Sequence, residues 1–275
     1  MEVFKMKDIR AYNTIVNKLR AFFLEKGFIE VPAQSRLSIL AACEDPKTIC
    51  KFKFNGEEFP LPQTGQMWLE HELLKDLSIR GVFCITTSYR DEPNPIEGRH
   101  DKVFPMFEFE GRGDIQNLTS MEKDVLKYLG FSGEASVEYN ELSEKYGVRE
   151  LTAEHEEKMW KDIGNVVFLT RFPQHTHPFW NMKHHQNGIF NKIDVILYGM
   201  ETIGSAERSC NAKEMRENFE TISNGEYARL LFEKFGKERV MSELQNYLSF
   251  EMTPRFGGGI GITRMARAMK LAGIL

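Results

Sequence analysis

Cysteine is scarce: Cys43, Cys50, Cys84 and Cys210 stand far apart and form no C-x-x-C pair. That spacing excludes a disulfide scaffold and a thiolate zinc site, and the four are read as reduced thiols. No apolar run reaches the ~18 to 20 residues of a bilayer-spanning helix, and the opening MEVFKMKDIR alternates charge where a secretory signal carries an apolar stretch. The expected setting is the cytoplasm. Lysine and arginine number 36 against 40 aspartates and glutamates, a formal net charge of −4, and no basic tract rises above the background. Nucleic-acid binding leans on clustered cations that neutralise phosphate, so only a localised patch could serve that purpose here. Repeats, Pro- or Ser-rich linkers and abrupt changes of composition are missing as well.

What is present suits one continuous domain over residues 1–275, of α/β or α+β class. Hydrophobic residues at 41% and charged residues at 28% supply a sizeable core and a solvated surface. Residues 8–26 place Tyr12, Ile15, Val16, Leu19, Phe22 and Phe23 on one face, and Gly27 follows where a helix stops. The stretches Val82–Tyr89, Val166–Phe172 and Ile193–Tyr198 are rich in β-branched and aromatic residues and read as strands. Helical spacing returns over Ala212–Leu248. The end combines a glycine cluster, Gly257 to Gly261, with a short helix-like tail from Ile262.

The glycines do not make a dinucleotide fold. A Rossmann fingerprint needs G-x-G-x-x-G after a strand and an acid ~20 residues later, whereas only fourteen residues follow Gly261. No G-x-x-x-x-G-K-[ST] occurs either. Taken alone, the cluster fits a tight strand-to-helix turn better than an ATP site with Arg264 over phosphate. A second constellation shifts that balance. Tyr89-Arg90-Asp91-Glu92 closes a strand, a loop with two prolines follows, and Arg99-His100, Phe104 and Glu108-Phe109-Glu110 lie on a returning strand. An antiparallel hairpin sets Arg90 beside Phe104, a cation that clamps phosphate next to a ring that stacks a base.

Three ordered motifs then carry a resemblance to the catalytic domain of class II aminoacyl-tRNA synthetases, nearest the aspartyl and asparaginyl branch. They are Gly27-Phe28-Ile29-Glu30-Val31-Pro32, Arg90 through Glu108, and Gly257 through Arg264. The resemblance implies an α+β fold, an antiparallel sheet flanked by helices, and a homodimer built through the first motif. It places ATP on Arg90, Glu92, Arg99, His100, Phe104, Glu201, Gly261 and Arg264, with Arg90, Arg264 and Glu201 as the catalytic set. Leu61–Glu70 resembles the amino-acid-binding segment, so Gln66, Glu108 and Arg208 are implied for the amino acid. Asp194 and Glu201, seven residues apart, are implied for Mg²⁺. Phe172-Pro173 and Pro178-Phe179 resemble the stretch preceding that segment.

Departures from the pattern refine the expectation. Leu69 stands where aspartyl enzymes carry a lysine, and asparaginyl enzymes resemble the present G-Q-x-x-L-E. Val103 replaces a glutamate and Thr263 an acid. Only 26 residues precede Gly27, where aspartyl and asparaginyl enzymes carry an anticodon-binding barrel. The expectation is therefore a free-standing paralogue similar to archaeal-type asparagine synthetase. It would be an AMP-forming ligase that activates an aspartate- or asparagine-like acid and passes it to ammonia or another small nucleophile, with tRNA not expected as a partner. A truncated tRNA-acting synthetase and a nucleotide-binding regulator without catalysis are the alternatives. His175, His177, His184 and His185 suggest a zinc hydrolase only weakly. Trp68 and Trp180 are expected in the core or pocket wall, and Asp91 and Glu110 in solvent.

Overall fold

The computed structural model describes residues 8–34, 37–40, 44–96, 98–99, 101–176, 179–186 and 188–275. Cys43, His100, His177 and Pro178 lie outside the described residues. Helix α1 (Ile9–Glu25) opens at Asp8, whose side chain accepts from the Ala11 amide at 3.0 Å, and Gly27 ends it with a φ of 80°. Strand β1 (Ile29–Glu30), the hairpin β2 (Lys51–Phe54) and β3 (Glu57–Pro60), and α2 (Gln66–Lys75) follow. Then come β4 (Gly81–Tyr89), β5 (Val103–Arg112), α3 (Ile115–Leu129), β6 (Glu134–Glu138), α4 (Tyr139–Tyr146) and α5 (Ala153–Asp162). The chain continues through β7 (Val166–Pro173), β8 (His184–Gln186), β9 (Ile189–Leu197) and β10 (Met200–Glu207). Helices α6 (Ala212–Thr221), α7 (Glu226–Phe235) and α8 (Lys237–Leu248) precede the last strand β11 (Arg255–Gly261) and helix α9 (Ile262–Leu271).

One large sheet runs in the order β1-β4-β5-β11-β10-β9-β7-β6, with β8 paired to β9. The fold is α+β, but the expected antiparallel sheet is mixed at its ends, because β1–β4 and β6–β7 are parallel. Parallel neighbours need a crossover, and α4 with α5 supplies one between β6 and β7, while the hairpin and α2 supply the other. The centre is antiparallel, and strand alternation there divides labour between the faces. Phe107 and Phe109 turn toward α1, α3 and α9, into a core with Leu19, Phe23, Leu118 and Met265. Glu108 and Glu110 therefore turn to the opposite face. A second apolar cluster joins α2 to α6, α7 and α8 around Trp180, Phe219 and Tyr247. Trp68 and Trp180 are buried as expected.

The glycine run has a packing cause. A Cβ on Gly257 would lie 1.9 Å from Glu110 Oε1, and one on Gly259 would lie 2.7 Å from Met106 Cε. Side chains of the neighbouring strand β5 thus occupy the space that residues on β11 leave empty.

Candidate active site

A cavity of about 420 Å³ opens on the glutamate-bearing side of the sheet, bounded by β5, β10, β11 and α2. Arg90 and Phe104 enter its wall from the β4–β5 hairpin, where Ser88 pairs with Phe104 and the Arg90 amide donates to Lys102 O at 2.7 Å. The guanidinium stacks 5.4 Å from the centre of the Phe104 ring. Arg90 Nε is buried with no hydrogen-bond partner among the described residues. A buried charged donor left so is ready to meet an anionic oxygen. Glu92 and Arg99 line the same cavity.

Arg264, in the first turn of α9, reaches the wall beyond Gly261. Its Nη1 donates to Glu201 O at 2.8 Å and lies 3.7 Å from Glu201 Oε2, and its Nη2 reaches Arg99 O at 3.4 Å. Arg99 in turn pairs with Glu156 on α5, which accepts from the Glu201 amide at 2.6 Å. Burial, with the nearby Glu201 charge adding to it, pushes Glu156 above its ordinary value despite Arg99. Glu156 was absent from the sequence expectation, since nothing in its helix marks it; only the fold sets it against β10.

Two carboxylates converge at Gly204. A Cβ there would lie 2.9 Å from Glu201 Oε1 and 3.6 Å from Asp194 Oδ1. Lys192 donates to Asp194 Oδ2 at 2.6 Å, while Asp194 Oδ1 is buried with no partner among the described residues. Burial pushes Asp194 up to about 7; Lys192 opposes the shift and Glu201 adds to it. Like charges held close together disfavour ionisation unless a cation joins them. Oxygen donors of this kind fit a hard divalent ion that keeps some of its water. Two of the histidines are engaged elsewhere: His175 Nε2 lies 3.1 Å from Arg149 O and His184 Nδ1 2.8 Å from Glu214.

The remaining wall holds Gln66, the first residue of α2, and Arg208, just after β10. Arg208 is 1% exposed. Its Nη2 donates to Glu110 Oε1 at 2.5 Å and to Gln66 Oε1 at 3.0 Å, its Nε lies 3.4 Å from Glu110 Oε2, and Nη1 has no partner among the described residues. Glu110 was expected in solvent; strand alternation corrects this, and it is fully buried beneath Arg208. Burial pushes its carboxyl up to about 7, against the pull of Arg208. Further in, Glu70 accepts from Arg255 Nε at 3.0 Å and Nη2 at 2.9 Å and from Asn181 Nδ2 at 2.7 Å. Burial would raise Glu70, but Arg255 and Arg208 hold it below its ordinary value.

Glu108 takes a different place from its neighbours in the expected set. Fully buried, it accepts from the Gly65 amide at 2.8 Å and from the hydroxyls of Thr64 and Thr86, tying β5 to the start of α2. Burial raises its carboxyl above the ordinary value despite these donors. It holds Thr64 and Gly65, the two residues before Gln66, whereas the other described members of the expected site line the cavity itself.

Residues 4–273 match the family model of class II tRNA synthetases (D, K and N). The chain belongs to this family. The asparaginyl-tRNA synthetase from Pyrococcus horikoshii complexed with asparaginyl-adenylate superposes with a TM-score of 0.75 at 19% identity, over 94% of this chain and 64% of that one. The Entamoeba histolytica asparaginyl-tRNA synthetase in complex with asparaginyl-adenylate gives 0.74 at 17%, over 96% and 63%. The aspartyl tRNA synthetase from Entamoeba histolytica gives 0.70 at 16%, over 97% and 55%. The chain thus spans less than two thirds of the length of these class II synthetases, and at such identities the likeness is one of fold. No curated protein sequence matches the chain. Within the class II fold, the first motif seen in the sequence spans β1, the second begins directly after β4 and ends on β5, and the third runs from β11 into α9.

Proposed function

We propose that this class II synthetase domain is an AMP-forming ligase. It activates an aspartate- or asparagine-like amino acid with ATP and passes the acyl group to ammonia or another small nucleophile without tRNA. The observation that carries the reading is that a single cavity is lined by a stacked Arg90–Phe104 pair, by Arg264, by the Asp194–Glu201 carboxylates and by Gln66 with Arg208. These supply a ring for adenine, two guanidinium groups for phosphate, a seat for Mg²⁺ and polar groups for an amino acid. Glu92, Arg99, His100 and Gly261 complete the proposed nucleotide site. Mg²⁺ would neutralise phosphate charge as pyrophosphate departs.

Arg90 holds the α-phosphate and Arg264 the γ-phosphate, each by charge-assisted bonds that strengthen as charge gathers on the equatorial oxygens. An oxygen of the amino-acid carboxylate attacks the α-phosphorus, the bond to the bridging oxygen breaks, and pyrophosphate leaves. The nitrogen nucleophile then attacks the acyl carbon, loses a proton, and AMP departs. No protein nucleophile is needed, so the residues act by position and charge. The excess of acidic over basic residues supports an acceptor smaller than tRNA. Family membership favours the second reading, transfer to tRNA. Incubating the protein with ATP, amino acid and ammonia, with and without tRNA, separates the two. The first reading requires an amide product and AMP in the absence of tRNA; product only with tRNA contradicts it.

A homodimer in the cytoplasm completes the proposal. Strand β1 ends the sheet and exposes Ile29 at 48%, which suits an edge that a second copy covers. Among the described residues no helix is long and apolar enough to cross a membrane.

A further inference from the structure

Three arginines converge on one tight turn. The hairpin between β9 and β10 closes through Tyr198 and Gly199, with φ of 50° and 76°, the paired left-handed conformation that a two-residue hairpin turn favours. Guanidinium groups take the carbonyls there: Arg267 Nη1 donates to Tyr198 O at 3.1 Å, Arg99 Nη1 to Gly199 O at 3.4 Å and Arg264 Nη1 to Glu201 O at 2.8 Å. Burial first, and then the neighbouring Arg99 charge, hold Arg267 below its ordinary value, so these cations stand close enough to repel one another. Helix α5 lies directly against the turn. A Cβ on Gly199 would be 3.1 Å from Glu157 Cα, and the Trp160 ring meets that of Tyr198 edge-on at 5.6 Å.

Glu156, on the same helix, supplies the counter-charge. One of its oxygens, Oε2, accepts from Arg99 Nη2 and from the Glu201 amide at 2.6 Å. It thereby ties the β4–β5 loop, which carries Arg99, to the strand that carries Glu201, and Arg264 Nη2 reaches back to Arg99 O at 3.4 Å. Arg99, Glu201 and Arg264 line the cavity, whereas Glu156 stands behind them with its side chain 17% exposed. We propose that Glu156 is the positioning residue for the polyphosphate end of the bound nucleotide, holding Arg99 beside Arg264 so that affinity for a triphosphate, and not for a monophosphate, depends on it. The inference rests on the ATP-binding reading given above. A free arginine loses side-chain freedom when it meets phosphate, and one already held by a carboxylate and a carbonyl loses less. The Glu156 charge also offsets the mutual repulsion of the three cations.

Calorimetric binding of ATP and of AMP to the wild type, to Glu156→Gln, to Arg99→Met and to the double variant tests the assignment, with pyrophosphate exchange beside it. Glutamine keeps the shape and an acceptor for the Glu201 amide but removes the charge that holds Arg99. Glu156→Gln should bind ATP about tenfold more weakly and AMP as tightly as the wild type, and the ATP KM should rise while the amino-acid KM stays. Adding Glu156→Gln to Arg99→Met should change ATP affinity by less than about twofold, because the residue it holds is gone. A folded Glu156→Gln that keeps the wild-type ATP affinity, or loses AMP in step with ATP, overturns the inference, as do fully additive effects of the two substitutions. Where the glutamine variant does not fold, Glu156→Asp, which keeps the charge but withdraws it by one methylene, should show the same selective loss of ATP; wild-type affinity there overturns the inference. Selective loss of ATP affinity in a protein that performs no exchange would sink the ligase reading and leave this one standing.

Discussion

At the scale of single residues, the protein buries more carboxyl groups than its chemistry needs, and their environments pull them apart. Glu70, gripped by two arginines, stays below its ordinary value, whereas Glu122 on α3 is pushed up to about 8 by burial that outweighs the nearby Ser205 hydroxyl. Glu122 enters the fold as a neutral acid. Its folded value lies above its unfolded one, so its favourable contribution is complete below about pH 4.5 and is lost as pH rises through about 8. Over that window the loss approaches about 1.4 kcal/mol per pH unit. Glu122→Gln should therefore flatten the fall in unfolding free energy between about pH 6 and about pH 8, measured by urea denaturation; equal slopes in wild type and variant would refute the assignment. The same scale shows what the sequence withheld. Arg90, Phe104 and Arg264 announce themselves through neighbours in the chain. Glu110, Glu70 and Arg255 do not, because Glu70 and Arg255 meet across a separation of 185 residues. For Glu110 the available sign of burial was its alternation with Phe107 and Phe109 along one strand.

At the scale of elements, β11 carries the most information per residue. Its glycines were legible as a strand running into a helix, but the sequence could not say what approaches them. The structure distinguishes the positions: Gly257 faces Glu110, whereas a Cβ on Gly261 would meet nothing closer than 3.7 Å. Gly257→Ala should cost about 1–3 kcal/mol through forced displacement of Glu110, while Gly261→Ala should stay within about 0.5 kcal/mol. Equal effects in chemical denaturation would contradict this account of the run. The strands expected from β-branched and aromatic content appear as β4, β7 and β9, and the opening helix ends at its glycine. The parallel edge pairs escaped the sequence reading because pairing direction is set by crossovers, which local periodicity does not encode.

At the scale of the whole molecule, one mixed sheet separates a phenylalanine-lined core from a charged cavity. The family was legible from three short motifs whose order and spacing the fold requires. The proposed dimer would use the exposed edge at β1: light scattering at micromolar concentration should return twice the 31.9 kDa chain mass, and a monomer would count against it. The central claim is that the cavity builds an acyl-adenylate. Amino-acid-dependent exchange of labelled pyrophosphate into ATP, with Mg²⁺ and without tRNA, tests it most directly. The account predicts exchange with asparagine or aspartate, cut by orders of magnitude in folded Arg90→Ala and Arg264→Ala. No exchange despite ATP binding, or near-normal exchange in both variants, would contradict it.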